Sequence, residues 1–152
     1  MAAALTADVV DEDTIRLQGK LLCIEHGRAS TDAVSGWLVA HPGVQLVHAA
    51  SGLDGVRAAH VERPDFVLLD MRLPDIGGLE VVRRLNHEIA GRGLRVTILT
   101  AERSSMDTIR AMSLGAFECW PKPLQPGLFQ AGLRRALTGR RADPARTLHN
   151  QR

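Results

Sequence analysis

Short apolar runs alternate with amphipathic stretches along most of the chain. Five runs are rich in aliphatic or aromatic residues and cover residues 21–24, 44–47, 66–69, 96–99 and 116–120. Four of them are almost continuously apolar, which is typical of strands buried on both faces of a parallel sheet. Because the intervening segments are long enough for helical crossovers, the pattern predicts five β-strands that alternate with helices.

The stretches between the runs show helical spacing of their apolar residues. They predict helices over residues 30–41, 53–62, 78–90, 105–114 and 126–138. In the third helix, Leu79, Val82, Leu85 and Ile89 recur on one side, while charged and polar residues take the other. That helix is therefore predicted to bury one face and expose the other.

Residues at the predicted helix ends are suited to closing them. Ser30 or Asp32 can cap the first helix, since their side-chain oxygens accept hydrogen bonds from free backbone N–H groups. Gly43, Gly93 and Gly115 follow predicted helix ends, where a left-handed conformation costs glycine little.

The order of elements predicts an α/β fold. A (βα)5 chain with right-handed crossovers forms a three-layer sandwich around a five-stranded parallel sheet, with the flavodoxin-like strand order 2-1-3-4-5. One folded domain is predicted over residues 20–138, between an N-terminal extension at 1–19 and a basic C-terminal tail at 139–152. Ligands of such folds bind beyond the carboxyl ends of the strands, so the functional residues are expected there.

Composition and charge describe an ordinary globular protein. The chain has 152 residues, of which 45% are hydrophobic and 24% charged, enough for one domain with its own core. The net charge of +2 is too balanced for a dedicated nucleic-acid binder, so direct DNA binding is not expected. Residues 134–152 hold six arginines and one acid, a pattern more typical of a solvated helix end than of a binding surface.

The cysteines and the N-terminal residues indicate a cytoplasmic protein. Cys23 and Cys119 lie in apolar runs without the spacing of a metal or redox motif, which favours a reducing compartment. Residues 1–10 are apolar but lack a basic segment, and acids follow where a cleavage site or membrane span would continue. No membrane attachment is therefore predicted.

Polar side chains follow four of the five predicted strands and should cluster at one edge of the sheet. Asp70 is a candidate nucleophile, Thr100 a hydrogen-bond donor to a phosphoryl oxygen, and Lys122 a counter-charge for the added charge of about −1.5 to −2. Arginine outnumbers lysine 17 to 2, so a compact ammonium at position 122 indicates a tight site. The full set of strand-end residues is Glu25, His26, Asp70, Thr100, Ala101 and Lys122.

Three motifs around these residues resemble the receiver domain of two-component response regulators. They are LLDMRLPDIGGLE at residues 68–80, LTA at 99–101 and WPKP at 120–123. Thr100 follows Asp70 by 30 residues, and Lys122 follows Thr100 by 22. The motifs occur in the family's order and at similar spacings, and the resemblance covers about residues 20–138.

The resemblance implies that Asp70 accepts a phosphoryl group from a histidine kinase or a histidine phosphotransfer protein. The residues matched by Thr100 and Lys122 would then read the modification, and the Lys122–Pro123 bond would be cis. Such a domain is a signalling module and not an enzyme beyond self-phosphorylation from acyl phosphates and autodephosphorylation. The resemblance implies that it signals to a downstream protein through direct contact.

The resemblance also implies a Mg²⁺ site, with one departure. Receiver domains commonly end strand one with two acids, and here Glu25 matches the first while His26 replaces the second. The remaining ligands would be Asp70 and the backbone carbonyl of Arg72. Because Mg²⁺ prefers oxygen, the expected outcomes are weaker Mg²⁺ binding, replacement by Mn²⁺, or no phosphorylation, and the first is favoured.

Cys119 is a second departure. Family members usually carry tyrosine or phenylalanine at this position, and its ring moves inward when the phosphoryl group is added. Cysteine is too small for that motion to reach the surface, so it is predicted to be a packed hydrophobic residue.

Three alternative functions, two of them enzymatic or dinucleotide-binding and one electron-carrying, are not favoured by the residues present. A dehalogenase-type phosphatase needs an acid where Arg72 stands, and a dinucleotide-binding domain needs a glycine-rich turn after the first strand. A flavodoxin-like electron carrier would leave Asp70 and Lys122 unexplained. The remaining alternative is a receiver-like module with a degenerate metal site, which binds a partner without phosphorylation.

The expected surface for partners comprises the fourth helix, the fifth strand and the fifth helix. Family members often pair there, so a homodimer of this chain would use the same surface. The 14 residues after Thr138 are too few for a DNA-binding unit or an enzyme, so no output domain is expected. The domain could act alone or derive from a larger hybrid histidine kinase.

Overall fold

The computed structural model describes residues 16–138, so the predicted tail and most of the predicted N-terminal extension lie outside the described residues. The strands are β1 (Gly19–Ile24), β2 (Val44–Ala49), β3 (Phe66–Asp70), β4 (Arg95–Thr100) and β5 (Glu118–Pro121). The helices are α1 (Ala29–Trp37), α2 (Gly52–Glu62), α3 (Gly78–Arg84), α4 (Asn86–Arg92), α5 (Met106–Ser113) and α6 (Pro126–Thr138), with a 3-10 turn at Leu38–Ala40.

The strands form one parallel sheet in the order β2-β1-β3-β4-β5. This confirms the predicted flavodoxin-like arrangement. The register pairs Ile24 with Leu69, Asp70 with Leu99, and Thr100 with Pro121. The carboxyl ends of β1, β3, β4 and β5 therefore meet along one edge of the sheet.

Helices cover both faces of the sheet, which explains the continuous apolar runs. In β3, Phe66 and Leu68 face the layer that contains α1 and α6. Val67 and Leu69 face the opposite layer, which includes α2, α3 and α5. All five residues of β3 are buried, because successive side chains point to opposite faces of the sheet and helices cover both faces. The strand can therefore place a polar group only where it ends.

The helix predicted over residues 78–90 is interrupted at Leu85. The Leu85 N–H lies 3.0 Å from the Val81 carbonyl and 3.2 Å from the Val82 carbonyl, so the turn is tightened there. Leu85 itself is fully buried, whereas α4 beyond it has no fully buried residue. The buried face was predicted correctly, but the continuity of the helix was not.

Two of the three glycines predicted to close helices have positive φ. Gly93 has φ 71° and Gly115 has φ 113°. Gly43 has no positive φ, and its role is different. A Cβ at Gly43 would lie 2.6 Å from the carbonyl oxygen of Leu17. Glycine is therefore needed there for the close approach of two chain segments.

None of the helices described between residues 16 and 138 combines the length and the apolar character that crossing a bilayer requires.

Replacing Gly132 with alanine is expected to destabilise the domain by about 1–3 kcal/mol, the usual cost of overpacking a core. A Cβ at Gly132 would overlap the Trp120 ring, which is 2% exposed. Gly127 lies on the same helix with open space around it, so Gly127→Ala is the matched control and should not destabilise. Urea unfolding of the two variants checks the difference, and equal unfolding midpoints would contradict it.

Candidate functional site

A cavity of about 530 Å³ opens at the carboxyl edge of the sheet. Asp70 enters it from the end of β3, Thr100 from the end of β4, and Lys122 from the residue after β5. The topology thus brings together three residues that are far apart in sequence. The remaining lining residues are Met71, Arg72, Ala101, Glu102, Ser105, Met106 and Asp107.

The Asp70 carboxylate is nearly buried and has a partner at each oxygen. Lys122 Nζ lies 2.6 Å from Oδ2, and the backbone N–H of Arg72 donates to Oδ1 at 3.0 Å. The side chain of Asp70 is 12% exposed and that of Lys122 is 32% exposed. Charge-assisted bonds of this length compensate for the loss of hydration of a carboxylate in such a site.

Lys122 is held in place by its own backbone as well. Its N–H donates to the carbonyl of Thr100 at 3.2 Å, which continues the β4–β5 pairing by one residue. The Lys122–Pro123 peptide bond is cis, as the resemblance implied. The N–H bond to Thr100 anchors the backbone from which the ammonium reaches the cavity.

Thr100 places a hydroxyl at the same edge. The residue is 8% exposed, and Oγ1 accepts the N–H of Glu102 at 3.0 Å. Because that bond uses a lone pair of the oxygen, the hydroxyl proton can still be donated to an anion in the cavity.

An ion pair crosses the mouth of the cavity. Arg72 Nη2 and Glu102 Oε1 are 3.8 Å apart, with side chains 87% and 68% exposed. A pair this long and this exposed contributes little to stability. Glu102, Ser105 and Asp107 were not predicted as site residues. They follow Thr100 on the next loop and helix, so extending the strand-end rule by a few residues would have found them.

The predicted metal ligands are only partly brought together. Asp70 and Arg72, two residues apart, both line the cavity, but neither Glu25 nor His26 does. The Glu25 carboxylate is bonded to the start of α1, and His26 is exposed. Within residues 16–138, no group of three or more His, Cys, Asp or Glu side chains is placed to hold a metal ion. The residues as placed do not fit the predicted Mg²⁺ site, whose ligand set stays a prediction.

Both cysteines are free thiols. Burial raises the pKa of Cys23 to about 12. Burial also raises the pKa of the half-buried Cys119, although the Arg103 guanidinium acts in the opposite direction. Cys119 packs against the core as a neutral side chain, in agreement with the small hydrophobic role predicted for it.

The loop after Asp70 is fastened to α2 by Asp75. Its carboxylate accepts the N–H of Gly52 at 2.8 Å and that of Leu53 at 2.9 Å, both at the start of the helix. The Leu53 N–H is the largest cause, and the Gly52 N–H a further one, of a lowered pKa at Asp75. The segment that carries Asp70 and Arg72 is thereby tied to a second helix.

Asp75→Asn is expected to lower stability at neutral pH, and the deficit should shrink in acid. The folded-state pKa of Asp75 is below its ordinary value of 3.8, so its charge stabilises the fold above that pH. That contribution is lost as the pH falls through the lowered pKa. Urea midpoints of the wild type and the variant from pH 7 downwards measure the difference. Asp54→Asn is the control, because the carboxylate that it removes contacts the side chain of Arg57. A deficit that does not depend on pH would contradict the assignment.

The model of the response regulator receiver domain family matches residues 21–134. Among curated proteins, the chain is 34% identical to the transcriptional regulatory protein AfsQ1 of Streptomyces coelicolor over 117 residues, covering 77% of this chain and 50% of that protein. It is 38% identical to sporulation initiation phosphotransferase F of Bacillus subtilis over 82 residues, covering 53% of this chain and 64% of that protein. The chain spans about half or less of the length of the transcriptional regulators it matches.

Solved structures show the same fold. The receiver domain of a sensor histidine kinase from Pseudomonas aeruginosa, solved with a magnesium ion coordinated in the active site cleft, is 25% identical. It superposes with a TM-score of 0.69 over 80% of this chain and 98% of that one. Chemotaxis protein CheY4 of Vibrio cholerae, 24% identical, gives a TM-score of 0.69 over 79% of this chain and 99% of that one.

Proposed function

Because the chain belongs to the response regulator receiver domain family, we propose that it accepts a phosphoryl group on Asp70 from a phosphohistidine. The donor is a histidine kinase or a histidine phosphotransfer protein. Receiver domains are signalling modules, and the proposal assigns this one no catalytic turnover of a substrate. The observation that supports it is the nearly buried Asp70 carboxylate, which shares one cavity with Lys122 and Thr100.

The geometry suits transfer to a carboxylate. An oxygen of Asp70 forms the new P–O bond while the P–N bond of the phosphohistidine breaks, leaving a neutral imidazole after protonation. The Lys122 ammonium stands where negative charge increases, and the Thr100 hydroxyl can donate to a phosphoryl oxygen. Since Lys122 pairs with Asp70 at 2.6 Å before transfer, the ammonium is already in position.

The signal would pass to partner proteins through the face formed by α5, β5 and α6, which correspond to the predicted fourth helix, fifth strand and fifth helix. Three exposed apolar side chains, Met106, Ile109 and Leu114, lie on α5 or directly after it. Exposed apolar groups favour association with another protein surface. A downstream protein or a second copy of this chain is the partner proposed there.

His26→Asp is expected to raise both the affinity for Mg²⁺ and the rate of labelling by a small acyl phosphate. The substitution adds an oxygen ligand next to the strand edge, and Mg²⁺ prefers such ligands to imidazole. Metal titration and labelling of the wild type and the variant, each with Mg²⁺ and with Mn²⁺, measure the effect. If neither quantity changes, the idea of a metal site weakened by His26 is wrong.

A second candidate is a receiver-like interaction module that works without phosphorylation. The observation that favours it is the Glu25 carboxylate, which is bonded to α1 and does not line the cavity. Such a module would keep the fold and the α5–β5–α6 face, but Asp70 would not be phosphorylated.

Incubation with acetyl phosphate or beryllofluoride and a divalent ion separates the two candidates. The phosphoacceptor hypothesis predicts a mass increase with acetyl phosphate and chemical-shift changes at Asp70 with either reagent. An unmodified protein and unchanged shifts, with Mn²⁺ as well as Mg²⁺, would favour the phosphorylation-independent module.

A further inference from the structure

The strand register places Glu25 next to Asp70, but the Glu25 side chain does not reach the cavity. In the parallel pairing of β1 with β3, Ile24 lies opposite Leu69. The residues that follow this pair in the chain, Glu25 after β1 and Asp70 at the end of β3, therefore stand at the same carboxyl edge. Asp70 lines the cavity and Glu25 does not.

Both carboxylate oxygens of Glu25 are bonded to the first turn of α1. Oε1 accepts the backbone N–H and the hydroxyl of Thr31, each at 2.7 Å, and Oε2 accepts the N–H of Ser30 at 3.3 Å. The first N–H groups of a helix have no partner inside it. Arg28, at the N-cap position, forms no side-chain cap bond. Glu25 thus performs the capping that the sequence assigned to Ser30 or Asp32.

Releasing this carboxylate is unfavourable. Glu25 is 6% exposed and Thr31 is fully buried. If Glu25 turned away, it would give up three hydrogen bonds and leave the buried N–H and hydroxyl of Thr31 without this acceptor. Each hydrogen bond to a carboxylate that is lost makes the released conformation less populated by roughly tenfold.

His48, on β2, fixes the loop that follows Glu25. Its Nε2 lies 3.0 Å from the carbonyl oxygens of both Glu25 and Gly27, and Nδ1 lies 3.1 Å from Nη1 of Arg28. A guanidinium can only donate, so Nδ1 accepts and the Nε2–H donates to the carbonyls. The imidazole therefore holds the backbone of residues 25–28 in the shape that directs Glu25 towards α1.

We propose that Glu25 is the N-terminal cap of α1, positioned by His48, and that it is not a ligand of a divalent cation at Asp70. The first acid of the predicted metal set is thereby committed to the fold. Without Glu25, the predicted ligands that remain are His26, Asp70 and the backbone carbonyl of Arg72. The inference does not depend on whether Asp70 is phosphorylated, since its tests measure metal binding and helix protection.

The first test is a Mg²⁺ titration of the full chain, followed by NMR of the Asp70 amide and of the Glu25 side-chain carboxyl carbon. We expect the Glu25 carboxyl signal to stay in place in the wild type, and Glu25→Gln to leave the affinity for Mg²⁺ unchanged. A Mg²⁺-dependent shift of that signal, or a loss of affinity in the variant, would overturn the proposal. The wild-type measurement decides even if the variant does not fold.

The second test is amide hydrogen exchange at Ser30 and Thr31. We expect Glu25→Ala, which removes the acceptor oxygens altogether, and His48→Ala each to speed exchange at these two amides by roughly tenfold, as the loss of a capping bond predicts. His41→Ala is the matched control, because His41 bonds the side chain of Gln130 on α6 and does not contact the loop. Unchanged exchange in both variants, or an equal effect of the His41 variant, would overturn the proposal.

Discussion

Asp70→Asn is expected to abolish phosphoryl incorporation while leaving the domain folded. An amide nitrogen or oxygen is a far poorer nucleophile than a carboxylate, and no other acid in the cavity pairs directly with Lys122. The asparagine Oδ1 can still accept the N–H of Arg72, as Asp70 does. Mass spectrometry after incubation with acetyl phosphate, or with a phosphorylated histidine phosphotransfer protein, measures the incorporation.

The stability cost of Asp70→Asn should be small, within about 1 kcal/mol, because the ammonium left behind can be hydrated. Asp54→Asn is a suitable control, since Asp54 is an exposed carboxylate on α2 outside the cavity. Labelling of the Asp70 variant at the wild-type rate would show that another residue is the acceptor.

Lys122→Met is expected to slow phosphorylation roughly 100-fold, the usual effect of removing one positioned charge that stabilises a transition state. Lys122→Arg should not restore the rate. The ammonium fits 2.6 Å from Asp70 Oδ2, and the planar guanidinium is wider and distributes its charge over a fork. The labelling rate with acetyl phosphate at fixed Mg²⁺ is the measurement.

Lys122→Met should also cost more stability than Asp70→Asn, by about 1–3 kcal/mol. The difference arises because this substitution leaves a carboxylate that is 12% exposed, whereas Asp70→Asn leaves an ammonium that is 32% exposed. Urea unfolding compares the two variants. Lys20→Met is the matched control, since Lys20 is the other lysine and pairs with Glu62 near the amino end of β1, away from the carboxyl edge of the sheet. Equal labelling rates for wild type and Lys122→Met would remove Lys122 from the site.

Some features of the site could be predicted because they depend on residues close together in sequence. The run at residues 66–69 is apolar without interruption, so it had to be a strand covered on both faces, and Asp70 had to stand where it ends. The same reasoning placed Thr100 and Lys122. Parallel strands align their carboxyl ends, and the three side chains share one cavity as a consequence.

Other features depended on contacts between distant segments. The stripe of apolar residues in the third predicted helix extends past Leu85, yet the helix is interrupted there, where the Leu85 N–H is shared between the carbonyls of Val81 and Val82. The ion pair of Arg72 with Glu102 joins two loops that no local pattern connects. The same is true of Asp75, whose carboxylate bonds the start of α2, a segment more than 20 residues earlier in the chain.

The sequence by itself determined the layer architecture and the residue types at the sheet edge, because both follow from the spacing of apolar positions and from the residues at the strand ends. Only the tertiary structure decided which way each edge side chain points. Glu25 directly follows β1 and Asp70 ends β3, one residue beyond the paired Ile24 and Leu69, and each carboxylate is directed by the donors nearest to it. For Glu25 these are the amides and hydroxyl at the start of α1, and for Asp70 they are the Lys122 ammonium and the Arg72 amide. A carboxylate that leaves water must take the partners that the fold places within hydrogen-bonding distance, and those partners come from other parts of the chain.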